Sequence, residues 1–214
     1  MQIKQAEFLT TVASDKILTN TKNEFAFVGR SNAGKSSLIN ALTNNKNLAK
    51  TGQRAGVTKN INYFLINKGQ VTFVDLPGYG FHQAGKKEEE KWADILENYF
   101  QNTKNLKCVF VLVDSRVPSS QSDKDMLKYL NYYNIPFVVI GTKADKLKKN
   151  EIMKAKKELA FGFALGESNV ILTSSQNRDG LREVLAIMDQ FLIKKWVLTR
   201  FFCYFNFFFT IDIV

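Results

Sequence analysis

The run Gly29-Arg30-Ser31-Asn32-Ala33-Gly34-Lys35-Ser36 constrains this chain more than any other segment. It fits G-x-x-x-x-G-K-[ST] and follows the apolar run Glu24-Phe25-Ala26-Phe27-Val28. It opens into Ser37-Leu38-Ile39-Asn40-Ala41-Leu42, whose apolar residues have helical spacing. Strand, glycine-bounded loop and helix, in that order, form the context in which such a loop cradles phosphate. The two glycines let the backbone curl so that successive N–H groups face an anion, and the helix N-terminus adds partial positive charge. Gly29, Arg30, Ser31, Asn32, Ala33, Gly34, Lys35, Ser36 and Ser37 are therefore the candidate cradle. Lys35 would reach the β- and γ-phosphates, and the Ser36 hydroxyl would ligate Mg²⁺. The segment implies binding of a nucleoside triphosphate.

Later motifs choose the base. The apolar run Val71-Thr72-Phe73-Val74 ends in Asp75-Leu76-Pro77-Gly78. A carboxylate at a strand end can hold Mg²⁺ through a water, and Gly78 can offer its N–H to a γ-phosphate where a side chain would obstruct approach. Farther on, Ile135-Pro136-Phe137-Val138-Val139-Ile140 ends in Gly141-Thr142-Lys143-Ala144-Asp145. Guanine presents N1–H and its 2-amino group as adjacent donors, which one carboxylate accepts together; adenine has an acceptor at N1, facing Asp145 with a mismatch. The stem of Lys143 can lie over the purine, and Thr142 can tie this loop to the phosphate loop. A further run, Val170-Ile171-Leu172, ends in Thr173-Ser174-Ser175, whose N–H groups are candidates for guanine O6. In this order the set reads guanine.

A GTP switch also needs a loop threonine between the first helix and the next strand. Gly56-Val57-Thr58-Lys59-Asn60 supplies the good candidate, with Thr58 joining Ser36 and Asp75 around Mg²⁺ when the γ-phosphate is present. Lys35, Thr58 and Gly78 are the candidate catalytic groups.

The same residues resemble a known family. Gly29-Arg30-Ser31-Asn32 with Gly34-Lys35-Ser36-Ser37-Leu38-Ile39-Asn40, followed by Asp75-Leu76-Pro77-Gly78-Tyr79-Gly80, is similar to the EngB (YihA/YsxC) family of translation-factor-like GTPases. The likeness runs from about Phe8 to about Leu192. It implies a small GTP-binding switch tied to assembly of the large ribosomal subunit and needed for normal cell division and septation. Two departures stand out. Ala55-Gly56-Val57-Thr58 replaces the family's usual P-G-R-T, so a switch-loop arginine is missing, and the segment from about Lys194 does not resemble the family. Where other GTPases place a water-orienting glutamine this chain has Tyr79, which implies slow intrinsic hydrolysis. By the same resemblance Asn32 is a candidate K⁺ ligand; the alternative is an asparagine that supports the loop backbone. His82, the single histidine, lies in the second switch and reads as a surface residue.

Strand-like segments near 24–28, 61–66, 71–75, 108–114, 136–141 and 170–173 alternate with helix-like ones near 35–43, 88–101, 121–133, 151–164 and 179–193. That alternation predicts a three-layer α/β fold of the P-loop GTPase kind, with a mainly parallel six-stranded sheet and ligands at the strand C-terminal ends. The short link Asn67-Lys68-Gly69-Gln70 predicts a hairpin and makes 61–66 the antiparallel edge. The domain reading is an N-terminal extension at 1–22, a GTPase domain at 23–193 and a phenylalanine-rich tail at 194–214. The tail has three readings: a frame change or read-through, an anchor interrupted by Arg200, Asn206 and Asp212, or a docked segment.

Two cysteines offer neither a disulfide framework nor metal spacing, and polar residues interrupt every N-terminal apolar run, so a cytoplasmic setting is expected. Scarce arginine argues against a nucleotide kinase, whose acceptor lid needs it. The net charge of +10 is mostly lysine, including Lys146, Lys148, Lys149, Lys154, Lys156 and Lys157, and it suits phosphate contacts with RNA or, equally, a solvated lysine-rich surface. No RNA motif with aromatic stacking is visible in the sequence. The expected partners are GTP and GDP and, through the resemblance, RNA and proteins of the large ribosomal subunit. DNA and membrane are not expected, and the chain is expected to be a monomer.

Overall fold

The computed structural model describes residues 1–13, 16–50, 60–79 and 86–193. Its strands are β1 (Ala6–Ala13), β2 (Glu24–Gly29), β3 (Asn60–Ile66), β4 (Val71–Asp75), β5 (Leu106–Asp114), β6 (Phe137–Thr142) and β7 (Val170–Leu172). Its helices are α1 (Lys35–Thr43), α2 (Lys86–Asn102), α3 (Gln121–Tyr132), α4 (Lys149–Gly162) and α5 (Leu181–Ile193). The strands form one sheet in the order β1-β3-β4-β2-β5-β6-β7.

Buried parallel strands must be apolar on both faces, and β2 is buried at every position. Its alternate residues feed two cores. Phe25 and Phe27 join Leu38 and Ile39 of α1 and Val184 and Met188 of α5 on one face. Ala26 and Val28 join Ile95 and Tyr99 of α2, Leu127 and Leu130 of α3 and Leu159 of α4 on the other. The first core is built on aromatic rings, with Phe27 5.4 Å from Phe110 and 5.1 Å from Phe73, separations at which ring pairs attract beyond their buried area. At the base of β2 the fully buried Glu24 accepts hydroxyls from Thr21, Tyr99 (2.7 Å) and Thr103 (2.6 Å), so its carboxylate is well satisfied away from water.

Among the described residues the sheet has seven strands where the sequence led to six. The added strand is β1, from the segment read as an extension. It pairs antiparallel with β3, so β3 is interior, with β4 antiparallel on its other side, and β1 is the edge. The hairpin at 67–70 is present, with Asn67, Lys68 and Gly69 all at positive φ.

Candidate functional site

The strand ends carry the site. A Cβ on Gly29 would lie 2.5 Å from the Leu112 carbonyl oxygen, so a glycine is required where β2 leaves the sheet beside β5. Gly34, at φ 93°, is the N-cap of α1. The amides of residues 31–37 divide into two groups. The Ser31 N–H is donated to Tyr79 O (3.1 Å) and the Ala33 N–H to Arg30 O (3.0 Å), so these amides shape the loop and do not face a ligand. Asn32 and Gly34 have no backbone acceptor among the described residues, and the amides of Lys35, Ser36 and Ser37, in the first helical turn, have no helix carbonyl to meet. These five are the amides left open to an anion.

Asp75 ends β4. Its Oδ1 is buried without a hydrogen-bond partner. Burial raises its carboxyl pKa, against the charge of Lys35 and a hydrogen bond from Asn62. An unsatisfied buried acceptor costs roughly 1–3 kcal/mol, and a hard divalent cation relieves it. Together with the Ser36 hydroxyl, this donor set fits Mg²⁺, which takes few protein oxygens and keeps its waters and phosphate ligands. Thr58, with Gly56, Val57 and Lys59, lies outside the described residues, as do Gly80, Phe81 and His82. Asn60 is exposed and opens β3 opposite Ala13.

Leu76 and Pro77 differ from the expectation that they touch nucleotide. Leu76 is buried and donates its N–H to Phe27 O (3.0 Å); Pro77 has no N–H, and its carbonyl accepts from Trp92 Nε1 (3.0 Å). They hold Gly78 in place. A Cβ on Gly78 would come within 3.2 Å of Lys35 Nζ, Gly29 O and Ser31 N, so this turn closes directly on the phosphate loop.

Tyr79 continues that closure. Its N–H is donated to Gly29 O (3.3 Å), and its buried hydroxyl is donated to Asp123 Oδ1 at the start of α3 (2.8 Å). The second carboxylate oxygen of Asp123 accepts from the Ser120 N–H (2.9 Å) and hydroxyl (2.6 Å). Burial, then the Asp123 charge, push the phenol well above its ordinary pKa. The ring is thus held in the core, with its hydroxyl turned toward Asp123. Tyr79→Phe is expected to cost about 1–3 kcal/mol in urea melts by orphaning an oxygen of Asp123, with the single-turnover hydrolysis rate unchanged within about twofold.

On the base side, Thr142 Oγ1 donates to Ala33 O (2.6 Å) and so ties β6 to the phosphate loop. Lys143, at φ 61°, donates from Nζ to Asn32 O (2.7 Å) and Asp114 Oδ2 (2.9 Å), which stretches its stem across the site. Ala144 is buried and donates its N–H to Thr173 O (3.0 Å). Asp145 accepts from the Ser174 hydroxyl (2.8 Å). Burial would raise its pKa, but Ser174, the backbone and Lys146 hold it below the ordinary carboxylate range. The expectation for the last motif needs correction. Thr173 donates its N–H to Gly141 O (2.7 Å) and Ser174 to Asp179 O (3.1 Å), which leaves Ser175 alone of the three without a backbone acceptor among the described residues. The adjacent carbonyls outcompete a ligand for the other two.

Asp114 was missed by the sequence reading, although it ends an apolar strand just as Asp75 does. Burial works against its charge, but Arg116 (2.9 and 2.7 Å) and Lys143 hold its carboxyl well below the usual range. A depressed folded pKa contributes stability above the unfolded value, about 3.9 for Asp, and loses it as the pH falls through the folded value. Asp114→Asn is therefore expected to destabilise at neutral pH and to converge with the wild type in strong acid, as read by urea melts across pH.

Against known proteins, residues 24–143 match the family model described as 50S ribosome-binding GTPase. The probable GTP-binding protein EngB of Mycoplasma capricolum subsp. capricolum is 43% identical over 196 residues, which is 90% of this chain and all of the relative. The chain belongs to the EngB family. EngB of Clostridium kluyveri is 42% identical over 88% of the chain and 96% of its own length. A crystal structure of a probable EngB superposes with a TM-score of 0.64 at 27% identity, covering 78% of this chain and 97% of the other. Era in complex with MgGDPNP and 16S ribosomal RNA nucleotides shares the fold, with a TM-score of 0.62 at 22% identity over 79% of this chain and 56% of Era. As an EngB, the chain is a GTP-binding P-loop GTPase of a ribosome-associated family.

Proposed function

We propose that this EngB hydrolyses GTP slowly with Mg²⁺ as a switch in assembly of the large ribosomal subunit, in the cytoplasm, and that cell division and septation depend on it. The observation that carries the chemistry is the convergence, at the C-terminal ends of β2 and β4, of the α1 amides, Lys35, Gly78 and the orphaned oxygen of Asp75. In-line attack of water on the γ-phosphate requires positioning and charge neutralisation more than covalent help. Lys35 and the first turn of α1 would take the phosphate charge, Ser36 and Asp75 would hold the cation with Thr58, and Gly78 would report the γ-phosphate. Asp145, held anionic and oriented by Ser174, would select guanine, with the N–H of Ser175 toward O6. With Tyr79 locked to Asp123, no side chain at that position orients the water, which supports a low intrinsic rate. A K⁺ beside Asn32 remains the other part of the reading, since the carbonyl of Asn32 is already engaged by Lys143 and only its side chain is left for a cation.

The ribosomal part rests on the family and on the lysine excess. Among the described residues no helix is long and apolar enough to cross a membrane. Co-sedimentation of the full chain with large ribosomal subunits, loaded with GDP or a non-hydrolysable GTP analogue, tests it. Binding with the analogue that survives moderate salt supports a nucleotide-gated ribosomal factor. Binding that ignores the nucleotide and vanishes with modest salt rejects it.

A further inference from the structure

Positive charge is not spread evenly over the helices. α2 carries three lysines against five acids and α3 two against two, while α5 has one arginine against two acids; α4 carries four lysines against two glutamates. Both glutamates are occupied: Glu151 accepts the Lys148 N–H (2.9 Å) and Glu158 faces Lys154 (3.7 Å). Lys149 and Lys157 are exposed and make no ion pair among the described residues. Ala155, Leu159 and Ala160 bury the inner side of α4. On the outer side, Lys149, Met153, Lys157 and Phe161 recur at intervals of four and so form one row about 18 Å long. Met153 is 59% exposed and Phe161 89%, the highest exposure of any large apolar side chain among the described residues. A bare aromatic ring beside unpaired lysines is what the sequence alone did not reveal.

We propose that this row of α4 is an RNA-docking face, with Lys149 and Lys157 on phosphates and Phe161 stacked on an unpaired base. The proposal rests on the ribosomal reading above and names the surface that performs it. Charge complementarity selects a polyanion, and the exposed ring selects one with splayed bases, which single-stranded loops of RNA supply and duplexes do not. The helix N-terminus beside Lys148 and Lys149 adds to the field. A membrane surface fits poorly, because the broad apolar side of α4 is packed on the sheet and only two apolar residues face outward. α4 carries none of the groups assigned to the γ-phosphate, so its contribution is the same in both nucleotide states.

The test measures binding of full-length wild type, Phe161→Ala, Phe161→Leu, Phe161→Trp and the double variant Lys149→Gln/Lys157→Gln to large ribosomal subunits, with GDP and with the GTP analogue, across salt. GDP affinity serves as the folding check. Phe161→Ala and Phe161→Leu should each weaken binding roughly tenfold while Phe161→Trp retains it. The double lysine variant should lower the salt slope by about 1.4, at 0.7 per phosphate on a single strand. The ratio between nucleotide states should not change. Wild-type affinity in every variant overturns the proposal while leaving the switch function standing. Retained binding in Phe161→Leu overturns it in favour of an apolar protein contact. Row-dependent binding to phosphatidylserine vesicles, with subunit binding unaffected, overturns it in favour of a membrane. If the wild type does not bind subunits at all, the ribosomal reading fails instead. A short fluorescein-labelled single-stranded RNA of mixed sequence then decides the row by itself: loss of binding in Phe161→Ala supports it, and equal binding rejects it.

Discussion

Asp145→Asn should lower the affinity for GTP and GDP by roughly 10²–10⁴-fold while leaving the fold intact. Guanine offers two adjacent donors, and hydrogen bonds to a charged acceptor are worth about 1.5–3 kcal/mol each, which across two bonds gives that range. The Ser174 hydroxyl, 2.8 Å away, holds the side chain in place, and an asparagine oxygen can still accept that bond, so the variant keeps its orientation. The amide nitrogen of asparagine would then point a donor at the 2-amino group. Xanthine carries a carbonyl there, so xanthosine nucleotides should bind the variant better than guanosine nucleotides, reversing the wild-type order. Competition between labelled GDP and each nucleotide reads this directly. An unchanged order would mean that Asp145 does not read the base.

Gly78→Ala should separate the two nucleotide states. Gly78 is not among the glycines at positive φ, so alanine is tolerated by the backbone. Its methyl, however, would sit 3.2 Å from Lys35 Nζ, Gly29 O and Ser31 N. Those neighbours must yield by a few tenths of an ångström, and the space in which an N–H would approach the γ-phosphate is narrowed. Hydrolysis should fall by about 10²–10³-fold, as for loss of one preorganised donor to a developing charge, with GDP affinity within about twofold of wild type. Single-turnover hydrolysis beside equilibrium GDP binding makes the measurement. Equal losses in both would show a damaged phosphate loop and not a γ-phosphate contact.

The parts of the fold visible in the sequence are those whose burial is symmetrical. β2 and β5 are apolar along nearly their whole length because helices cover both faces, and such runs announce themselves. β1 does not. Phe8 and Leu9 are both exposed, and a bulge between Phe8 and Thr10 shifts the register, so the alternation that marks a strand is broken where it would be read. Missing β1 then misplaced β3 at the edge.

The site shows the same division. The motifs nominate the phosphate loop, Asp75, Gly78 and Asp145 because each needs its residue types in one local order. They could not say which amides are available, because that depends on carbonyls brought in from other strands. Ser31 is claimed by Tyr79, Thr173 by Gly141 and Ser174 by Asp179. Nor could they find Asp114, whose partner Lys143 is 29 residues away, or Asp123, which meets Tyr79 across 44. Such pairs are made by the sheet order, which no local pattern encodes.

The contact between Trp92 and the turn at Pro77 and Tyr79 has a practical consequence. The indole N–H is donated to the Pro77 carbonyl, and the ring meets the Tyr79 ring edge-on at 5.4 Å. The chain has two tryptophans, and the other, Trp196, lies beyond α5. Replacing Trp196 with phenylalanine leaves a protein whose tryptophan emission, excited at wavelengths that tyrosine does not absorb, comes from one indole hydrogen-bonded to the residue just before Gly78. Any rearrangement of that turn changes the polarity and quenching around a single chromophore. The single-tryptophan variant therefore carries its own optical gauge of the turn before Gly78, and the rate of any movement there can be followed by stopped flow without attaching a dye.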